Sequence, residues 1–162
     1  MSFLELLTGQ RREEPSSAPR EDCPLCTNIP GTLVWRGAYW RLMSADDPNY
    51  PGYMRLVLNR HCTELTQLAK PEQKHLFALL VMIENEMRDL MQPDKVNIAS
   101  LGNQVAHQHW HIIPRYKDDA HFPDSIWGAV RNTTPSPDLA KRTENAKALF
   151  EILPPLCKKA VY

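Results

Sequence analysis

The chain is predicted to be an α+β domain, and three features of its pattern say so. Short β-rich segments at 32–36, 39–43 and 53–58 follow one another with turn residues between them, and two more lie at 96–101 and 107–113. One long stretch, residues 71–91, carries apolar residues at helical spacing. A second helical pattern follows the last strand, giving the order β-β-β-α-β-β-α, a meander-like antiparallel sheet with segregated helices. With 162 residues, 43% of them hydrophobic and 23% charged, the composition is that of an ordinary globular protein with room for one core.

Charge and cysteine usage exclude several classes. Nineteen basic residues balance nineteen acidic ones, so no global field recruits nucleic acid or a membrane surface. No apolar run approaches the roughly 20 residues of a membrane span. Met1 to Arg12 does not read as a signal peptide, because Glu5 interrupts it and Arg11-Arg12 follow the apolar part. Four cysteines in a chain this long do not make a disulfide scaffold, and a reducing cytoplasm is expected.

Taken in order, residues 1–20 read as a flexible extension: an apolar turn from Ser2 to Leu7, then a charged linker rich in Pro and Ser. Residues 21–128 form the domain proper, and 129–162 a helical tail. Cys23-Pro24-Leu25-Cys26 has two readings. It is a redox pair if it opens a helix, or half of a tetrahedral metal site if two more ligands come from elsewhere. The helix-breaking run Thr27 to Gly31 that follows speaks against the first. Two short strands then flank a turn at Gly37. Residues 44–52, with Pro48, Pro51, Gly52 and Asp46-Asp47, form a loop into the central strand 53–58. Pro71 suits the first turn of the long helix, whose stripe is Leu76, Leu80, Ile83, Met87, Leu90 and Met91, and Pro93 ends it. Phe77 and Val81 widen that stripe, and two readings stand: all of it is core, or the excess over the sheet meets a second subunit. Strands 96–101 and 107–113 are joined through Gly102 and read as an antiparallel hairpin. A surface helix is expected over 139–149, with Asp138 as its N-cap.

The chemistry concentrates at His107-Gln108-His109-Trp110-His111-Ile112-Ile113-Pro114-Arg115, where three of the six histidines recur every second residue. A strand alternates faces, so the three imidazoles share one face about 7 Å apart, from ~3.3 Å of rise per residue. Each can serve as base, nucleophile or metal ligand near neutral pH. An open three-histidine zinc hydrolase is the weaker reading, since alternate residues on one strand spread too far to hold one ion easily.

His107 to Ile113 resembles the histidine triad (HIT) motif, His-x-His-x-His followed by two apolar residues, and the Pro114-Arg115 that follows recurs in many members. The resemblance covers residues 23–128 and looks most like bacterial HIT proteins with an N-terminal zinc-type cysteine pair. It implies a HIT-like fold and a nucleotide substrate. His109 would be the nucleophile at the α-phosphorus, forming a nucleotidyl-histidine, and His111 would stabilise phosphate charge or help protonate the leaving group. It also implies a structural zinc on Cys23, Cys26, His61 and His107, with Cys62 facing away. Asn97, and Asn103 and Gln104 in the segment before the triad, would serve the phosphates. Asp46, or its neighbour Asp47, would bind the ribose. Tyr53 stands where many relatives carry a Gly-His pair. His121 and Trp127 either cover the site or pack on the surface, the second being expected. Family members are usually homodimers built through the long helix. Three functions follow: a nucleotide hydrolase, a nucleotidyltransferase with the same intermediate, or a binding module without turnover. The third histidine, where galactose-phosphate uridylyltransferases carry Gln, favours hydrolysis.

Overall fold

The computed structural model describes residues 18–160, so most of the extension expected over 1–20 lies outside the described residues. In chain order the elements are α1 (Pro24–Thr27), β1 (Leu33–Arg36), β2 (Trp40–Ser44), β3 (Met54–Leu58), α2 (Lys70–Met91), β4 (Lys95–Ala99), β5 (His109–Arg115) and α3 (Leu139–Lys159), with a 3₁₀ turn at Leu65–Gln67. The five strands form one sheet in the order β1-β2-β3-β5-β4, and every neighbouring pair is antiparallel.

Alternation along the strands divides the sheet into two faces. Trp40, Leu42, Met54, Leu56, Leu58 and Ile112 point to the helices and are fully buried. They pack against Leu76, Leu79, Leu80, Ile83 and Met87 of α2 and against Leu149 and Leu153 of α3. The opposite face carries Arg41, Met43, Arg55, Val57, His109 and His111, as their register partners require. This side chain division, set by period 2, is what leaves the histidines free of the core.

The start of α2 is tied to the sheet. Glu72 accepts from the Ala69 backbone N–H at 2.7 Å and from Arg60 Nε and Nη2, each at 2.7 Å. Phe77 and Val81 stay 51% and 67% exposed, on the part of α2 that the sheet does not cover.

Two sequence expectations change. The helix expected on the surface over 139–149 runs on to Lys159 and belongs to the core: Leu149 and Leu153 are fully buried and Cys157 nearly so. Apolar residues four apart at 149, 153 and 157 carry it through Pro154-Pro155, which cost backbone hydrogen bonds that packing on α2 offsets. Asp138 stands at the N-cap but makes no side-chain cap bond. The connection between β4 and β5 is also no tight turn, since it spans residues 100–108. The backbone of its last residue, Gln108, pairs with the end of β3 instead, donating to Cys62 O at 2.6 Å and accepting from Leu58 N at 3.0 Å. Among the described residues, no helix is long and apolar enough to cross a membrane.

Candidate active site and metal centre

Strand β5 begins at His109, so His109 and His111 stand on it while His107 precedes it. Val57 is the register partner of His109, and Arg55 that of His111. The two rings lean together, with centroids 4.9 Å apart and planes 79° to one another, closer than strand rise alone predicts. Both residues are only 8% exposed. Burial drives both imidazoles toward the neutral form, His109 below its ordinary value and His111 down to about 4, helped by the neighbouring ring and by Arg55.

A hydrogen bond then fixes which nitrogen of the His109 ring carries the proton. His109 Nδ1 lies 2.6 Å from the His107 carbonyl, which can only accept. Nδ1 is therefore the protonated nitrogen, and Nε2 is left with a lone pair. His111 Nδ1 lies 2.6 Å from the Tyr53 hydroxyl. Burial raises the Tyr53 pKa, so the phenol stays protonated, and its hydroxyl can either donate to a bare Nδ1 or accept from Nδ1–H. With Tyr53 as donor, the His111 proton stands on Nε2. The pair then offers one nucleophilic nitrogen, on His109, and one N–H donor, on His111.

His107 belongs to a second constellation. The ligand atoms of Cys23, Cys26, His61 and His107 all lie within 4.8 Å of one another. His107 Nδ1 is 3.5 Å from each of the two sulfurs, and His61 Nδ1 is 3.4 Å from Cys26 Sγ. A tetrahedral zinc with bonds of about 2.3 Å to sulfur and about 2.0–2.1 Å to nitrogen has sulfur–nitrogen edges near these lengths. The tautomer fits as well. His107 Nε2 donates to the Leu58 carbonyl at 2.9 Å, leaving the Nδ1 lone pair aimed at the thiols. Helix α1 carries the cysteines, the end of β3 brings His61, and the approach to β5 brings His107. Cys62 turns away into the main core.

The HIT domain profile matches residues 27–118 of this chain. The chain belongs to the HIT family. Among curated relatives it is 26% identical over 138 residues to the AP-4-A phosphorylase of Mycobacterium tuberculosis, covering 80% of this chain and 71% of that protein. It is 34% identical over 76 residues to the bis(5'-adenosyl)-triphosphatase of Saccharomyces cerevisiae, covering 43% of this chain and 37% of that protein. Among solved structures, a histidine triad protein from Bradyrhizobium japonicum superposes with a TM-score of 0.61 at 27% identity, over 74% of this chain and 87% of that one. A zinc-bound HIT protein from Mycobacterium smegmatis shares the fold at 18% identity and a TM-score of 0.55, over 82% of this chain and 95% of that one.

On this HIT scaffold the other residues singled out from sequence fall in separate places. Asn97 shares the histidine face, two register positions from His111, and its Oδ1 accepts from Arg115 Nη1 at 2.8 Å. Asn103 and Gln104 are exposed in the 100–108 connection. Asn103 borders a cavity of about 340 Å³ that His107, Gln108 and Trp110 also line. Asp46 is exposed in the left-handed region at φ 53° and accepts from Ser44 Oγ at 2.6 Å and Thr32 Oγ1 at 2.8 Å. His121 bonds the Tyr50 hydroxyl through Nδ1 at 2.5 Å.

Trp127 departs from the expectation of surface packing. It is 50% exposed, yet its ring lies edge-on to His111 with centroids 4.9 Å apart. What carries it there is the buried pair Arg115–Asp119. Arg115 donates to both oxygens of Asp119 at 2.7 and 3.0 Å and to the Asp124 carbonyl at 2.8 Å. Asp119 also accepts from the backbone N–H groups of Tyr116, His121 and Phe122. Burial pushes the Asp119 carboxyl up, but these donors outweigh it and hold the carboxyl below its ordinary range. The loop from β5 to Trp127 is thus folded around one ion pair. Sequence reasoning missed this role of Arg115, and it missed Tyr53 as a partner of His111. An Asp four residues after an Arg was the available signal for the first. For the second, register was needed.

Proposed function

We propose that the chain is a HIT-type nucleotide hydrolase that cleaves next to the α-phosphate through a nucleotidyl-histidine intermediate. The observation that carries this reading is the His109 Nδ1–H bond to the His107 carbonyl, which leaves a lone pair on His109 Nε2 beside the His111 ring 4.9 Å away; the His111 proton is assigned to Nε2, with the Tyr53 hydroxyl donating to Nδ1. The names of the mycobacterial and yeast relatives point to dinucleoside polyphosphates as one substrate class, with nucleoside phosphoramidates as the other.

In the first step the lone pair of His109 Nε2 attacks the α-phosphorus. The bond from phosphorus to the leaving oxygen or nitrogen breaks, and its electron pair departs with the leaving group. His111 Nε2–H donates a hydrogen bond to the charge that develops. As the His109 imidazole becomes positive, its Nδ1–H keeps its bond to the His107 carbonyl, which orients the ring and eases the charge. Water then attacks the same phosphorus and gives up a proton to solvent, the P–N bond breaks with its electron pair returning to Nε2, and a nucleoside monophosphate leaves with His109 restored. Asn97, Asn103 and Gln104 are proposed donors to the phosphates, and Asp46 the acceptor for the ribose hydroxyls. Cys23, Cys26, His61 and His107 would hold zinc as a closed four-ligand site. When bound, the ion supplies structure: it ties α1 to the strand that presents His109. The exposed Phe77 and Val81, with the Trp110 ring beside Phe77 at 6.3 Å between centroids, support a homodimer through α2.

A second reading is favoured by the name of the mycobacterial relative: inorganic phosphate, instead of water, takes the nucleotide from His109. Alkaline quench of the zinc-loaded protein with α-labelled diadenosine tetraphosphate tests the shared step. Label bound to wild type and absent from His109→Ala is the expected result. Product turnover without any protein-bound nucleotide overturns the mechanism, and tight binding with no product leaves a binding module. Products formed with and without added phosphate separate hydrolysis from phosphorolysis.

A further inference from the structure

Arg55 is a cation on the histidine face with no acid to answer it among the described residues. It is the register partner of His111 on the adjacent strand, so the two side chains emerge side by side on one face. Its positive charge acts on both His109 and His111, disfavouring their protonated forms, as nearness requires. One arm is anchored: Nη2 donates to the Pro30 carbonyl at 2.6 Å. The next residue, Gly31, has φ +104° and lies so close to the Ser44 carbonyl oxygen that no side chain would fit. Nε is buried and makes no hydrogen bond. Among the described residues no carboxylate pairs with Arg55. Arg41, the neighbouring cation on this face, is also bound to a backbone carbonyl, that of Leu25, but its register partners are Val57 and Arg36 and not a histidine. A guanidinium on this face that is held only by one backbone carbonyl keeps charge and N–H donors that a phosphate can take up.

We infer that Arg55 binds the phosphate chain on the leaving side of the substrate and so selects nucleoside polyphosphates over substrates whose leaving group carries no phosphate. The inference rests on the nucleotide-cleaving reading above and names its substrate class. The chemistry suits the residue. A guanidinium forks onto phosphate oxygens with two parallel N–H donors, and it cannot lose its charge at the pH where the histidines are neutral. A polyphosphate leaving group departs with extra negative charge, and a cation next to the His111 donor stabilises it. An amine leaving group gains nothing from the same cation. The sequence gives no hint of this, because an Arg in an alternating strand reads as a solvated position until the register sets it against His111.

The test compares zinc-loaded wild type with Arg55→Gln and Arg55→Lys on diadenosine tetraphosphate and on adenosine phosphoramidate. The ratio of kcat/KM for the first over the second should fall about 10- to 100-fold in Arg55→Gln, the range for one charge-assisted contact, and only partly in Arg55→Lys. Equal losses on both substrates, or an unchanged ratio, overturn the inference. If wild type turns over neither substrate, the hydrolase reading fails by itself, and inorganic tripolyphosphate still decides Arg55. Calorimetric binding to wild type that weakens by the same factor in Arg55→Gln supports the site, and equal affinities overturn it.

Discussion

Tyr53 and His111 are joined by a 2.6 Å hydrogen bond that reaches from the start of β3 to the middle of β5. The tyrosine is buried, and its hydroxyl has a raised pKa, so the proton stays on oxygen. If that proton points at Nδ1, as the proposed mechanism requires, His111 presents Nε2–H beside His109. Positions of this kind act through another side chain, and their removal changes chemistry more than folding.

Tyr53→Phe therefore keeps the ring's packing but frees Nδ1. The expected result is a drop in kcat of roughly 10-fold, the size of one lost hydrogen bond in a buried site, with KM little changed. Nδ1 also becomes available to a proton, so the acid limb of the pH–rate profile should move toward neutral pH. A profile that coincides with wild type shows that the hydroxyl does not set the tautomer.

The metal cluster predicts a thermal effect. Elemental analysis should find about one zinc per chain, lost in Cys26→Ser. Melting with a strong chelator should lower Tm by on the order of 10 °C, since a structural site contributes several kcal/mol and each is worth roughly 2–4 °C in a domain of this size. His107 links this site to the other, because its carbonyl holds His109 Nδ1. Chelation should accordingly reduce turnover before the protein unfolds, and full activity in metal-free protein would separate the two sites.

Much of this was legible in the sequence, and the reason is local. Periods of 2 and 3.6 mark the strands and α2, because each element must bury one face. The His-x-His-x-His spacing puts His109 and His111 on the same face whatever surrounds them. The same logic misplaced α3 at the surface, because its apolar positions at 149, 153 and 157 straddle two prolines that sequence rules treat as a stop. The contacts of Tyr53, Arg55 and Trp127 were out of reach for another reason. They depend on which strands are neighbours and in what register, and no residue pattern within one segment carries that information.

The Arg115–Asp119 pair makes a prediction about the loop that carries Trp127. Both side chains are nearly inaccessible, at 2% and 4% exposure. Asp119→Ala would leave the guanidinium buried and unanswered, a loss on the order of 3–5 kcal/mol. Asp119→Asn retains the shape and half of the hydrogen bonding, so it should fold, and it should release Trp127 from His111. Tryptophan emission quenched by titratable or soluble agents would report that release. If Trp127 is equally protected in Asp119→Asn, the pair does not position the loop.

His111 also predicts how stability depends on pH. Its folded pKa is lowered to about 4 by burial first, then by His109 and Arg55, against an ordinary value of 6.5. Between those two values the unfolded chain binds a proton at this residue and the folded chain does not. Stability therefore rises with pH in that window: the contribution is complete above about 6.5 and is lost progressively as pH falls toward 4. The difference is on the order of 3 kcal/mol if taken fully, at ~1.4 kcal/mol per pKa unit. Other buried histidines share the trend, so the residue's own part is read by subtraction. Urea unfolding of wild type and His111→Asn at pH 7 and at pH 4.5 gives it directly: wild type should lose more stability over that interval than the variant. Equal losses would mean that His111 is already protonated, or open to solvent, in the folded protein, and the neutral Nε2–H donor beside His109 would have to be abandoned.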